Sequence, residues 1–171
     1  MATTYTLINS NVLSSSAASI TFSSIPATYT DLVLRCSLRN TAGTTIVNTR
    51  ITFNSIGGTA YSYTFIRGSG TAASSGNNSS GANTLLSYHN GSTTTADTFS
   101  SLEVYVPSYT ASQNKPFSSF LSQENNLTAA FTAATAGLLS DTAVINSITL
   151  TPDANDWLSG SSFYLYGISN A

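Results

Sequence analysis

Thr30-Asp31-Leu32-Val33-Leu34-Arg35-Cys36-Ser37-Leu38-Arg39 is the stretch whose reading decides the fold. Leu32, Leu34, Cys36 and Leu38 fall on one face of an extended segment, and Val33, Arg35, Ser37 and Arg39 on the other. That alternation has the period of a half-buried β-strand, and no helical period fits it as well. It predicts a buried face of three leucines and a small thiol, with both arginines looking outward. Asn40-Thr41-Ala42-Gly43 then supplies turn chemistry. The expected partner is the last strand, Ser162-Phe163-Tyr164-Leu165-Tyr166-Gly167-Ile168, which also alternates and is rich in aromatics.

Working outward, Thr3 to Val12 reads as a weak β segment with Tyr5, Leu7 and Ile8 as anchors, followed by a Ser14-Ser15-Ser16 break. Ser19 to Phe22 is a short strand ended by Ser23-Ser24-Ile25-Pro26, because proline cannot donate to a central ladder. Ile46 to Phe53 and Tyr61 to Arg67 are strands joined by a turn over Asn54 to Gly58. Gly68 to Asn83 is low-complexity Gly, Ser, Ala and Asn, expected as a mobile surface loop. Leu85 to His89 is a strand before the turn dipeptide Asn90-Gly91. Phe99 to Val106 follows, with Leu102, Val104 and Val106 inward, and then Phe117 to Gln123. The alanines of Asn126 to Leu138 suit a helix, but the interleaved threonines favour a strand. Ile145 to Thr151 and Ser162 to Ile168 are expected to form a hairpin around Pro152 to Trp157.

Many short strands punctuated by Gly, Ser, Asn and Pro, with no amphipathic helix, predict an all-β chain. The expected architecture is an antiparallel two-sheet β-sandwich, jelly-roll-like, with about 8–10 strands in sheets of roughly four to five. Residues 1–16 are assigned to an N-terminal arm or edge strand and 17–171 to the sandwich domain. A chain of 171 residues buries roughly 70% of its unfolded surface and needs no metal or disulfide to fold.

Only 7% of residues are charged, against about 25% in an ordinary soluble domain. The polar surface must therefore come from Ser, Thr and Asn, which suits a protein that packs in an assembly. A net charge of −2 with a single lysine, Lys115, argues against nucleic acid, which needs clustered cations. Cys36 is the sole cysteine, so no intrachain disulfide is available. Met1 to Ile20 lacks a basic region and an uninterrupted apolar core, and no apolar run approaches the ~20 residues of a membrane helix. The expectation is a soluble protein made in a cytoplasm, with no membrane partner.

The search for chemistry yields no catalytic constellation. His89 is the sole histidine, so a His-pair metal site is excluded; it is expected as an exposed strand-end residue. Cys36 lies on the leucine face and reads as core, and Glu103 looks outward with no carboxylate drawn towards it. Gly68-Ser69-Gly70 lacks the lysine of a phosphate loop. Asp153-Ala154-Asn155-Asp156 resembles a calcium loop only superficially, lacking the distal glutamate, and a turn is the simpler reading. Trp157 beside those acids could stack on a sugar or cover a sandwich edge. No cofactor, metal or catalytic residue is assigned.

Three pieces carry a resemblance. They are Phe22-Ser23-Ser24-Ile25-Pro26-Ala27-Thr28-Tyr29-Thr30-Asp31-Leu32, Ile51-Thr52-Phe53-Asn54, and Ile148-Thr149-Leu150-Thr151-Pro152 with Gly160-Ser161-Ser162-Phe163-Tyr164-Leu165-Tyr166-Gly167-Ile168. In this order they resemble a family of small virion proteins of tailed bacteriophages, common in phages of cyanobacteria and other aquatic bacteria. The resemblance implies a β-sandwich module that trimerises and serves either as head decoration (cement) or in tail fibres. Where relatives carry an Asp-Gly-rich turn after the Phe-Asn pair, this chain has Ser55-Ile56-Gly57-Gly58. The first expectation is a cement protein on the outer capsid surface, a homotrimer bridging major capsid protein subunits. Its docking arm would be Thr3, Thr4, Tyr5, Leu7 and Ile8, unless that segment is an ordinary first strand. The alternative is a tail-fibre module that recognises host-surface glycans through an exposed surface of Ser69, Asn77, Asn78, Tyr109 and Trp157.

Overall fold

The computed structural model describes residues 4–124, 126 and 130–169. Among them are twelve strands: β1 (Tyr5–Val12), β2 (Ile20–Phe22), β3 (Asp31–Leu38), β4 (Ile46–Phe53), β5 (Tyr61–Ser69), β6 (Ala72–Gly81), β7 (Thr84–Asn90), β8 (Ser100–Val106), β9 (Lys115–Gln123), β10 (Phe131–Leu139), β11 (Ile148–Pro152) and β12 (Ser162–Ile168). They form two antiparallel sheets, of order β1-β12-β3-β8-β9-β10-β5-β6 and β2-β11-β4-β7. If the pairs β5–β6 and β9–β10 are set aside, every successive strand changes sheet except β4 and β7, which are neighbours in the smaller one. That alternation is the jelly roll. The two extra pairs both extend one sheet beyond β8, giving sheets of eight and four strands where two nearly equal ones were expected.

β3 behaves as its alternation requires. Leu32, Leu34, Cys36 and Leu38 are buried, and Leu34 is flanked by Leu165 of β12 and Val104 of β8. The expected pairing of β3 with β12 is present. Facing this row are Ile20 and Phe22 of β2, Ile148 and Leu150 of β11, and Ile51 and Phe53 of β4, all buried. Phe53 meets Phe117 edge-on at 5.1 Å between ring centroids. Phe117 fits there because Gly137 lies beneath it: a Cβ on Gly137 would stand 2.3 Å from the ring. β10 alternates as a strand, with Phe131, Ala133, Thr135 and Leu139 buried.

Four local expectations are overturned. Gly68 to Asn83 is not a loop but a hairpin, β5 turning at Gly70 into β6. β6 has no hydrophobic period because it pairs only with β5 and is exposed along most of both faces. Its ladder and the Arg67 Nε–H donated to Ser74 Oγ at 2.7 Å hold it. Secondly, β11 and β12 form no hairpin, since they belong to different sheets. The segment between them crosses one end of the sandwich, fixed by reciprocal backbone hydrogen bonds between Trp157 and Ala17.

Thirdly, Arg39 is buried rather than outward. β3 ends one residue before it, so the strand's alternation no longer applies. Its guanidinium donates to the carbonyls of Ser92, Thr94, Thr95 and Thr98, a loop that would otherwise leave acceptors without donors. Finally, His89 is 0% exposed. Its Nδ1 and Thr49 Oγ1 are 2.8 Å apart, and its ring lies 4.5 Å from that of Trp157. β7 is covered on nearly all its positions because Ser119 and Thr135, reaching across from β9 and β10, donate their hydroxyls to the Leu86 carbonyl.

Candidate functional site: the outer face of the eight-stranded sheet

The four-stranded sheet covers one face of the large sheet and leaves the other open. Because side chains alternate along each strand, the ladder registers define transverse rows on that open face. One row runs Tyr164, Arg35, Glu103, Phe120, Ala134, Ile66, Ser75 from β12 to β6. The next runs Tyr166, Val33, Tyr105, Ser118, Ala136, Thr64, Asn77. The face thereby divides into two chemically different halves.

On β9, β10, β5 and β6 the face has an apolar centre among Ser118, Ser75, Thr64 and Asn77. Phe120 and Ile66 are 61% and 63% exposed, more than any other large hydrophobic residue described. Both stand opposite Ala134, whose small side chain leaves a notch between them. They line a shallow cavity of about 530 Å3 together with Gly68, Ala73 and Thr132 and with the polar Ser74, Ser75 and Arg67.

On β1, β12, β3 and β8 the face is aromatic and hydrogen-bonding. Tyr5 and Tyr166 meet edge to face with centroids 6.4 Å apart. Val33 points outward between Tyr166 and Tyr105, yet is only 3% exposed; the neighbouring rings therefore lean over it. Arg35 Nη2 pairs with Glu103 Oε2 at 2.8 Å, and both side chains stay well exposed. The Tyr105 hydroxyl donates to Asp31 Oδ2 at 2.9 Å, while the Ser108 N–H donates to Asp31 Oδ1. That hydrogen bond to a carboxylate, with some desolvation, raises the Tyr105 pKa, so the phenol keeps its proton at neutral pH.

The residues singled out from sequence are scattered. Thr3 lies outside the described residues. Thr4 precedes β1 and accepts the Ser169 N–H through its carbonyl. Tyr5 and Leu7 are half-exposed on β1, and Ile8 packs against the core at a bulge that follows Leu7. Within this chain the segment is an edge strand paired to β12. Ser69 ends β5, and Asn77 and Asn78 sit on β6, so they share the hairpin. Trp157 and Tyr109 are 0% exposed and leave that group. Of the two readings of Trp157, burial removes the sugar platform and leaves the cover of the sandwich, where the indole packs against His89 and Phe163. Sequence reading passed over Arg35, Glu103, Tyr105, Tyr164 and Tyr166 as a group. The signal was available in the strict alternation of β12, where Phe163 and Leu165 face inward and the tyrosines outward.

The buried polar groups offer no comparable opening. Burial lowers the His89 pKa to about 3, against a minor opposing effect of Asp153, so the ring is neutral. Burial also pushes the Cys36 thiol far above its ordinary range. Among the described residues no group of His, Cys, Asp and Glu is arranged to hold a metal ion. In comparisons with known proteins, no family model, curated protein or solved structure matches this chain.

Proposed function

We propose that this chain is a structural virion protein of a tailed bacteriophage, a cement protein that binds the outside of the head as a trimer and bridges major capsid subunits. The observation that carries the reading is the uncovered face of the eight-stranded sheet, with an apolar notch between Phe120 and Ile66 bordered by Ser74, Ser75 and Thr132. Contiguous exposed apolar surface rimmed by polar residues marks protein contact sites. The mechanism is multivalent clamping: three weak contacts held in one trimer act at high effective concentration, so each neighbouring capsid subunit is retained without any single strong bond. The resemblance of the Phe22–Leu32, Ile51–Asn54 and Ile148–Ile168 segments to phage virion proteins supports the same class.

A second reading, a receptor-binding module of a tail fibre, draws its support from the tyrosine-lined half of the same face. Gold-tagged antibody against this chain, applied to intact virions, separates the two. Label in many copies over the head is the expected result, and label confined to the tail replaces cement with the fibre reading. Label on neither removes both.

A further inference from the structure

We propose that the tyrosine-lined half of the outer face, on β1, β12, β3 and β8, binds a neutral glycan. The proposal rests on the chemistry of this face and not on whether the protein sits on head or tail.

Two shallow cavities lie on either side of Arg35. One, of about 390 Å3, is lined by Tyr5, Arg35 and Tyr166. The other, of about 280 Å3, adds Ser37, Glu103 and Tyr164. Sharing Arg35, they form one trough across four strands, roughly 15 Å wide at the usual interstrand spacing. A pyranose presents a C–H face and a belt of hydroxyls. Aromatic rings supply the apolar partner for the first, and they are rigid enough to do so at small entropic cost. Half-exposed Tyr5 sets its ring at 68° to that of Tyr166, so the trough offers a ring face beside a ring edge.

For the hydroxyl belt the trough supplies donors and acceptors side by side. The Arg35 guanidinium has five N–H donors, and only its contact with Glu103 is observed. Glu103 offers acceptors, and the exposed heads of this pair are reachable without unfolding anything. The pair cancels its own charge at 2.8 Å, and Asp31 is occupied by Tyr105 and Ser108. With Arg35 already paired to Glu103 and no second cation in the lining of the trough, an uncharged polyol is favoured over a phosphorylated, sulfated or sialylated chain. Phe120 and Ile66 are the two most exposed large apolar side chains described and stand in the other half. Tyr5, Leu7, Val12 and Tyr105 stand on this one, so a protein contact here is the competing outcome that the test separates.

The test is an array of neutral, sialylated and sulfated oligosaccharides probed with the full chain, followed by titration of the best neutral ligand. Selective binding to neutral hexopyranose oligosaccharides is expected. Tyr166→Ala and Arg35→Ala should each weaken it by on the order of tenfold or more, while Phe120→Ala, in the other half, leaves it unchanged. Tyr166→Phe, which keeps the ring, should retain most of the affinity and guards against a folding artefact. No neutral glycan bound, a preference for anionic glycans, or equal binding by Tyr166→Ala and the parent would each overturn the site. Loss of head binding by Tyr166→Ala without any glycan bound would overturn it in favour of a protein contact. The location of gold label on virions does not bear on these outcomes, so this site and the cement reading fail separately.

Discussion

His89 is a base held without its proton. Its pKa in the fold is lowered to about 3 by burial, whereas an imidazole in the unfolded chain titrates near 6.5, or about that. Between those values the unfolded chain binds a proton that the native state refuses, so falling pH favours unfolding. Stability should be level above about pH 6.5 and decline through the window towards 3. Asp153 contributes lower down. Burial pushes its carboxyl up, but the hydrogen bonds from Arg50 and Asn48 outweigh this and hold it below the usual range. Its stabilisation is present above the ordinary Asp value and disappears as pH falls through the lowered one. Urea midpoints measured across pH check the assignment: the decline between about pH 6.5 and 4.5 should be absent in His89→Phe, and a parent protein with no decline there contradicts it. The burial of His89 and Arg39 was illegible from sequence because both stand at or just past a strand end. There the alternation that predicts facing gives out, and long-range partners decide instead.

At the scale of strands, the register read from β3 makes a sharp demand. Leu34 lies between Leu165 and Val104 on the inner face, 2% exposed, so Leu34→Ala should cost about 2–5 kcal/mol. Equilibrium denaturation measures this, and a cost near zero would contradict the facing assigned to the strand. Gly137 makes a complementary demand, because any side chain there drives into the Phe117 ring, itself packed on Phe53. Gly137→Ala should destabilise by about 1–3 kcal/mol through overpacking; a melting temperature equal to that of the parent would mean the ring shifts freely. Strands with one buried face (β3, β8, β9, β12) were legible because burial writes a period of two into the sequence. β6 was not, since a strand beyond the cover of the second sheet has nothing to bury and consists of small residues without a period. The β11–β12 hairpin failed for another reason: proximity in sequence says nothing about which sheet a strand joins.

For the molecule as a whole, the all-β sandwich and its jelly-roll winding were legible, and the inequality of its sheets was not. Two extra strand pairs look in sequence like any others; only their ladders reveal that both widen the same sheet. Scarce charge has a consequence at this scale. If head binding uses the neutral face around Phe120, raising salt from about 0.05 to 0.5 M should change affinity by no more than about threefold, because there is little to screen. Sedimentation of labelled protein with purified heads would register this, and a steep loss with salt would argue against that face as the contact.

The strand order also carries a chronology. β9–β10 pairs with β8, a member of the basic jelly roll, whereas β5–β6 pairs only with β10, although Tyr61 of β5 also stacks on Phe53 of β4. A sandwich with β9–β10 alone has a continuous sheet; one with β5–β6 alone would leave that hairpin without a neighbour. The ladder order thus favours an ancestry in which β9–β10 was gained before β5–β6. Shortened relatives should lack β5–β6 or lack both pairs, but should not retain β5–β6 by itself.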